Sequence, residues 1–233
     1  MTHARTEAGP ARGAAAWRGR GSTLAGTTLA AALLVACAVP RAAGAPPCPT
    51  ERTVTITSQD DVDRLAGCVR VSGLVIRSGA PLGLAPLRAL EVVTGDLVVG
   101  PTLALEELTL LELVEVRGAI RVTGNHAMRG LFLPRLERAG RIEVEASPAL
   151  VTISLPRLGA TTGSLVVSGN TALEIMDLSA LVSVGKDLVV TANPRLTLIE
   201  AGRLEAIQTL RIEDNRALPA EQIDALRART PSP

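Results

Sequence analysis

From residue 74 onward, pairs of aliphatic residues separated by one position recur at a nearly constant spacing. The first members are Leu74, Leu97, Ile120, Ile142, Leu165, Leu188 and Leu210, with gaps of 23, 23, 22, 23, 23 and 22 residues. The second members follow two residues later as Ile76, Val99, Val122, Val144, Val167, Val190 and Ile212. Residues i and i+2 of a strand point to the same side, so each pair predicts a short strand with its buried face already set. A repeat of this length marks a supersecondary unit that cannot bury its apolar face alone and must stack on its neighbours. The expected fold is mainly β: a parallel β-helix or leucine-rich-repeat-like solenoid of about seven 22–23-residue coils.

Other columns keep the same step. Gly73, Gly95, Gly118, Gly140, Gly163 and Gly185 precede the strand, where a corner is expected to need permissive φ. Asn125, Asn170, Asn193 and Asn215 follow it, with Ser147 in the same place one coil earlier than Asn170. Three residues later stands Met128, Leu150, Leu173, Leu196 or Leu218, and a further inward column runs through Leu90, Leu113, Leu136, Leu158, Leu181 and Leu204. That leucine precedes the glycine by five residues in some coils and four in others. The 22/23 alternation is therefore placed at one corner, leaving the strand register intact.

A solenoid exposes apolar ends and needs caps, and short helical caps are predicted at both. At the start, residues 53–57 alternate as a strand. Ser58 then serves as N-cap with Asp61 at N3, Val62 and Leu65 face inward, and Gly67 ends the helix. At the end, Pro219 is expected at a helix N1 position, with 220–229 helical and Ile223 and Leu226 covering the last coil.

Ahead of the repeats, residues 1–20 are polar and Arg-bearing, and an apolar stretch runs over 24–36 into Leu34-Val35-Ala36-Cys37. About a dozen apolar residues is too short to span a bilayer and fits a signal peptide. Leu-Val-Ala-Cys resembles a bacterial lipobox, which would make Cys37 the lipidated first residue of the mature chain. The alternative is an ordinary secretory signal cut near Ala43-Gly44-Ala45, with Cys37 lost. Either cut leaves Cys48 and Cys68, an even pair that reads as a disulfide in an exported chain. The expected organisation is a signal peptide with lipobox over 1–37, an Ala/Pro-rich tether over 38–52, the solenoid over 53–230 and a tail over 231–233.

Composition narrows the classes. The chain is 47% apolar, yet its only aromatic residues are Trp17 and Phe132, which suits thin stacked layers of branched aliphatics. Four of the 24 basic residues but only one of the 23 acidic ones lie in 1–37, so the solenoid is slightly acidic. Nucleic acid is set aside as a partner, because no basic face exists to meet phosphates. Carbohydrate recognition by aromatic stacking is disfavoured for want of Trp or Tyr.

The pattern N-x-x-L-x-x-I-x-L-P-x-L-x-x-x-x-G-x-L-x-V, visible in 125–144 and 147–167, resembles the receptor L-domain. Cys68-Val69-Arg70-Val71-Ser72-Gly73-Leu74-Val75-Ile76 is similar to that family's opening coil, which begins at a disulfide cysteine. The likeness covers roughly 53–226. It implies a right-handed, leucine-rich β-solenoid of the kind found in growth-factor receptor ectodomains and in short bacterial lipoproteins. The chain departs from the receptors in having no cysteine-rich neighbour and no kinase, so receptor signalling is not implied.

Candidate chemistry is sparse. The asparagines are expected to satisfy backbone groups at stacked turns. His126, the only histidine outside the leader, has no second histidine with which to build a zinc site, and neither a metal site nor a cofactor is expected. The outward residues Arg121, Arg141, Glu143 and Glu145 fall on adjacent coils and form a candidate contact patch, to which Phe132 is added as an outward aromatic between inward Leu131 and Leu133. Glu143 and Glu145 also invite a hydrolase reading, against which stands a solvated ladder of opposite charges. Two outward valine pairs, Val75/Val98 and Val166/Val189, are expected to leave apolar stripes. Coils of near-constant length leave no insertion to wall a catalytic groove, so the chain is expected not to be an enzyme. The expectation is an exported lipoprotein of the cell envelope, at the outer membrane or cell surface, whose solenoid binds a protein or envelope ligand. A spacer without a ligand is the alternative, and a β-helical carbohydrate-active enzyme a weaker one.

Overall fold

The computed structural model describes residues 47–229. The lipobox at Cys37, most of the tether and the tail lie outside the described residues.

Two parallel sheets face each other across a single aliphatic column. Eight strands follow one another up the broad sheet: Thr53–Ile56, Gly73–Ile76, Leu97–Val99, Glu115–Thr123, Arg138–Glu145, Leu165–Ser168, Ser183–Thr191 and Ala206–Glu213. Leu74 pairs with Leu97, Leu97 with Ile120, and so on through Leu188 with Leu210. The register read from the aliphatic pairs is the register observed. Thr53–Ile56 does more than cap, because Val54 and Ile56 pair with Leu74 and Ile76 and add a rung below the first full coil. At about 4.8 Å per rung, eight rungs make a stack about 34 Å tall.

The narrow sheet has five strands: Glu107–Thr109, Gly130–Phe132, Thr152–Ser154, Ile175–Asp177 and Leu198–Glu200. Each contributes one buried side chain to the core, Leu108, Leu131, Ile153, Met176 or Ile199. Leucines before and after these strands, such as Leu150, Leu155 and Leu158, complete the interior of each coil. In the coil before the first of these strands, the 3-10 turn Ala85–Ala89 buries Leu87 instead.

The alternation of 22 and 23 residues resolves into two bulges. Val116 pairs with Ala139 but Ala119 with Arg141, and Val184 with Ile207 but Asp187 with Thr209. One strand advances three residues while its neighbour advances two, at the corner where the slack is expected.

The glycine column at that corner has a different cause from the one predicted. None of Gly73, Gly95, Gly118, Gly140, Gly163 and Gly185 has positive φ. They are small because coils touch there: a Cβ on Gly140 would lie 2.5 Å from the carbonyl oxygens of both Arg117 and Gly118, and one on Gly185 2.2 Å from Thr162 O. The left-handed position lies at the next corner, immediately before the asparagine column. Gly124, Ala146, Gly169, Ala192 and Asp214 all hold φ between 49° and 68° there.

Behind that left-handed residue runs a buried polar ladder of Thr102, Asn125, Ser147, Asn170, Asn193 and Asn215. Asn170 Nδ2 donates to Val144 O at 2.9 Å, and its Oδ1 accepts the Ser147 N–H at 3.1 Å. Asn193 repeats the arrangement, donating to Val167 O and accepting the Asn170 N–H, both at 3.0 Å. Each asparagine side chain therefore satisfies backbone groups that the turn would otherwise bury unpaired. The asparagines are structural.

Both caps are present. Helix α1 (Gln59–Asp63) begins with the full capping box of Ser58 and Asp61, and it closes the base with Val62 and Leu65 buried. Cys48 and Cys68 form a disulfide, and Pro49 O accepts the Ser72 N–H, so the end of the expected tether is already fastened to the fold. Helix α2 (Ala220–Arg227) caps the top, with Pro219 at the N-cap and not at N1, since its ψ of 138° is extended. Leu226 is buried and Ile223 half-buried. Gln222 Oε1 accepts the Ile199 N–H and its Nε2 donates to Thr197 O, occupying the open edge of the narrow sheet. Arg229 donates to the carbonyls of Ala201, Gly202 and Leu204.

Candidate functional site

The outward face of the broad sheet carries the charged residues singled out from the sequence. Arg121 and Glu143 are cross-strand neighbours, and Arg121 Nε donates to Glu143 Oε2 at 3.0 Å. The other end of the guanidinium reaches down one rung, where Nη1 donates to Asp96 Oδ2 at 2.7 Å. Arg141 pairs with the remaining carboxylate oxygen of Glu143. Asp96, which the sequence reading did not single out, completes the chain of charges and also accepts the Ala119 N–H through Oδ1 at 2.8 Å. That backbone hydrogen bond, followed by Arg121, holds the Asp96 carboxyl below the usual carboxylate range. Reciprocally, Asp96 and then Glu143 raise Arg121 above the ordinary arginine value.

Glu145 stands two residues beyond Glu143 on the same strand and accepts from Ser168 Oγ at 3.2 Å. Glu143 is engaged by two arginines and its side chain is 17% exposed. This arrangement is the ladder of opposite charges. Exposed pairs of this kind contribute about 0–1 kcal/mol each, so the network fixes the texture of the face more than its stability.

Phe132 does not join this patch. It lies on the narrow sheet, where it pairs with Thr109 and Ser154. Leu131 and Leu133 are buried and Phe132 half-buried, as the alternation requires. Its ring folds back over Gly130 of its own strand, so that a Cβ on Gly130 would sit 2.1 Å from the ring. Gly130 is thus what lets the aromatic ring lie flat. The sequence could not show this separation, because the asparagine turn carries the chain from one sheet to the other between 123 and 130.

Val75, Val98, Val166 and Val189 flank the charged pairs on the broad face, but all four are half-buried. The expected apolar stripes are reduced to the outer surfaces of these side chains. His126 is exposed at the asparagine turn, where its backbone N–H donates to Thr102 O. Among the described residues, no group of three His, Cys, Asp or Glu could hold a metal ion. Nor, among them, is any helix long and apolar enough to cross a membrane. A recess of about 380 Å³ at the base is lined by Pro49, Arg52, Asp61 and Arg64 among others, and one of about 540 Å³ by Glu137, Arg138 and Arg157 at the glycine-side corner. The Arg121–Glu145 patch lines neither.

No family model matches the chain, and no solved structure matches it either. The chain is similar to a cell wall protein, ecm33, of the fission yeast Schizosaccharomyces pombe, with 29% identity over 163 residues. The matched stretch covers 69% of this chain and 38% of the yeast protein. The chain therefore spans well under half the length of that relative. The likeness is to a eukaryotic protein and does not bear on a lipid at Cys37.

Proposed function

We propose that the chain is a non-enzymatic, exported protein of the cell envelope whose solenoid presents the outward face of its broad sheet to a protein or envelope ligand. The observation that carries this reading is the unbroken stack: eight rungs without an inserted loop give a continuous display surface and no walled groove for catalysis. Similarity to a yeast cell wall protein supports the envelope location. The Leu34–Cys37 sequence supports attachment to a membrane through a lipid on Cys37, in the manner of receptor L-domain-like bacterial lipoproteins. Two acyl chains would give stable anchoring where one would not. Mixed charge on the broad face argues against nucleic acid as the ligand.

A second reading, a spacer without a ligand, is favoured by one observation: the charges of Asp96, Arg121, Glu143 and Arg141 neutralise one another within the chain. Surface crosslinking in cells, with identification of whatever the Arg121–Glu145 patch touches, separates the two. Capture of one discrete partner, lost in Arg121→Ala/Arg141→Ala, supports binding, and the same captured set with and without the substitutions supports the spacer. For the anchor, incorporation of labelled palmitate and release of Cys37→Ala into the soluble fraction are expected. An unlabelled, soluble wild type would refute it.

A further inference from the structure

Among the described residues, the strand Ala206–Glu213 pairs on one side only, with Ser183–Thr191. The Ala192 N–H donates to Glu213 O, so Glu213 turns its backbone groups inward along the sheet. By the alternation of a parallel ladder, Arg211 does the same. The N–H and C=O groups of Leu210 and Ile212 therefore face the open edge. Their side chains occupy the two core columns, where each earlier member from Leu74 and Ile76 to Leu188 and Val190 is buried, yet they are only half-buried themselves. Helix α2 touches this strand but leaves both side chains half-buried, with Gln222 committed to the narrow sheet and Arg229 to the corner that follows it. At the base, Ile56 and, in α1, Val62 are both 0% exposed, and Val54 alone of the first rung's core positions is half-buried.

An open strand edge with apolar core positions beside it is a template for another strand. We propose that it pairs, antiparallel, with the same strand of a second copy of this chain, about a two-fold axis at Ile212. In that register Ile212 lies opposite Ile212 of the other copy as a hydrogen-bonded pair, which suits its edge-facing backbone. Arg211 then lies opposite Glu213 of the other copy, and Glu213 opposite its Arg211, in the closely spaced non-hydrogen-bonded positions. Sliding the strands to bring Leu210 opposite Ile212 would set Arg211 against Arg211. Of these two registers charge selects the first, which is self-complementary, as an isologous contact requires.

Sedimentation velocity on the full chain over a range of concentrations tests this. A concentration-dependent dimer is expected. Arg211→Glu and Glu213→Arg each place like charges opposite one another and should weaken the dimer about tenfold or more. The double variant Arg211→Glu/Glu213→Arg restores both cross-strand pairs and should restore dimerisation. Circular dichroism on each variant checks that the solenoid remains folded. A monomer at all concentrations overturns the proposal. So does self-association that ignores the single substitutions, or a double variant no better than the singles.

Discussion

Removing one amide from the polar ladder should cost far more than its surface chemistry suggests. Asn170→Ala deletes the donor to Val144 O at 2.9 Å and the acceptor of the Ser147 N–H at 3.1 Å, at a site 0% exposed. The Ser147 N–H is left buried without its partner, for which about 1–3 kcal/mol is the usual penalty, and a second net hydrogen bond of about 1 kcal/mol goes with the amide. Together these predict about 2–4 kcal/mol of destabilisation. Asn170→Ser provides the control, because Ser147 holds the equivalent place one coil below and its Oγ accepts the Asn125 N–H at 3.4 Å. A serine should recover part of the loss. Urea titration followed by circular dichroism measures both, with the midpoint shift read at constant slope. Since repeat arrays can unfold coil by coil, the two variants must retain the wild-type slope for the comparison to hold. An alanine variant within about 0.5 kcal/mol of wild type, below the cost of even one exposed buried donor, would show that the ladder is not satisfying the backbone.

The two turn-forming columns should respond differently to the same change. Gly140→Ala forces a Cβ against two carbonyl oxygens at 2.5 Å and should destabilise severely or prevent folding. Gly169→Ala meets nothing closer than 3.8 Å and only strains a φ of 66°, for about 1 kcal/mol, as the tolerated Ala146 and Ala192 imply; thermal melts of the two variants should separate clearly. Asp96 supplies a pH dependence. Its folded pKa is lowered by the Ala119 N–H and then by Arg121, so its contribution is present above the unfolded value and lost as pH falls through the lowered one. The stability gap between wild type and Asp96→Asn, measured by melting at a series of acid pH values, should close across that window, and a gap constant with pH would contradict the assignment.

The sequence carried the fold through its longest-range regularity. Leu74/Ile76 to Leu210/Ile212 fixed the register of every rung of the broad sheet above the first because a one-residue slip would have turned each aliphatic pair to solvent. The narrow sheet was less legible. Its strands are three residues long and bury one side chain each, so period-two alternation has no room to declare itself, although Leu131 and Leu133 already marked the faces correctly. The glycines before the strand were visible as a column, but composition alone does not distinguish a residue needed for φ from one needed for closeness. Ala146, Ala192 and Asp214 hid the true left-handed position because it tolerates several residue types. In the candidate site, Arg121, Arg141, Glu143 and Glu145 could be placed together by counting rungs. Asp96 escaped because it sits at the strand entrance, outside the alternation, and Phe132 was misgrouped because no count reveals which sheet a coil has turned into.

The bond between Cys48 and Cys68 decides how the molecule would carry tension. A pull applied to the chain ahead of Cys48 crosses the sulfur bridge and enters the polypeptide at Cys68, next to the strands Arg70–Val71 and Gly73–Ile76. The intervening loop, with the outermost rung Thr53–Ile56 and helix α1, hangs off the line of force. An edge strand drawn from its own end would peel away one hydrogen bond after another. Under such a pull the force would arrive behind that edge, and the first rung would not be unzipped from its own end.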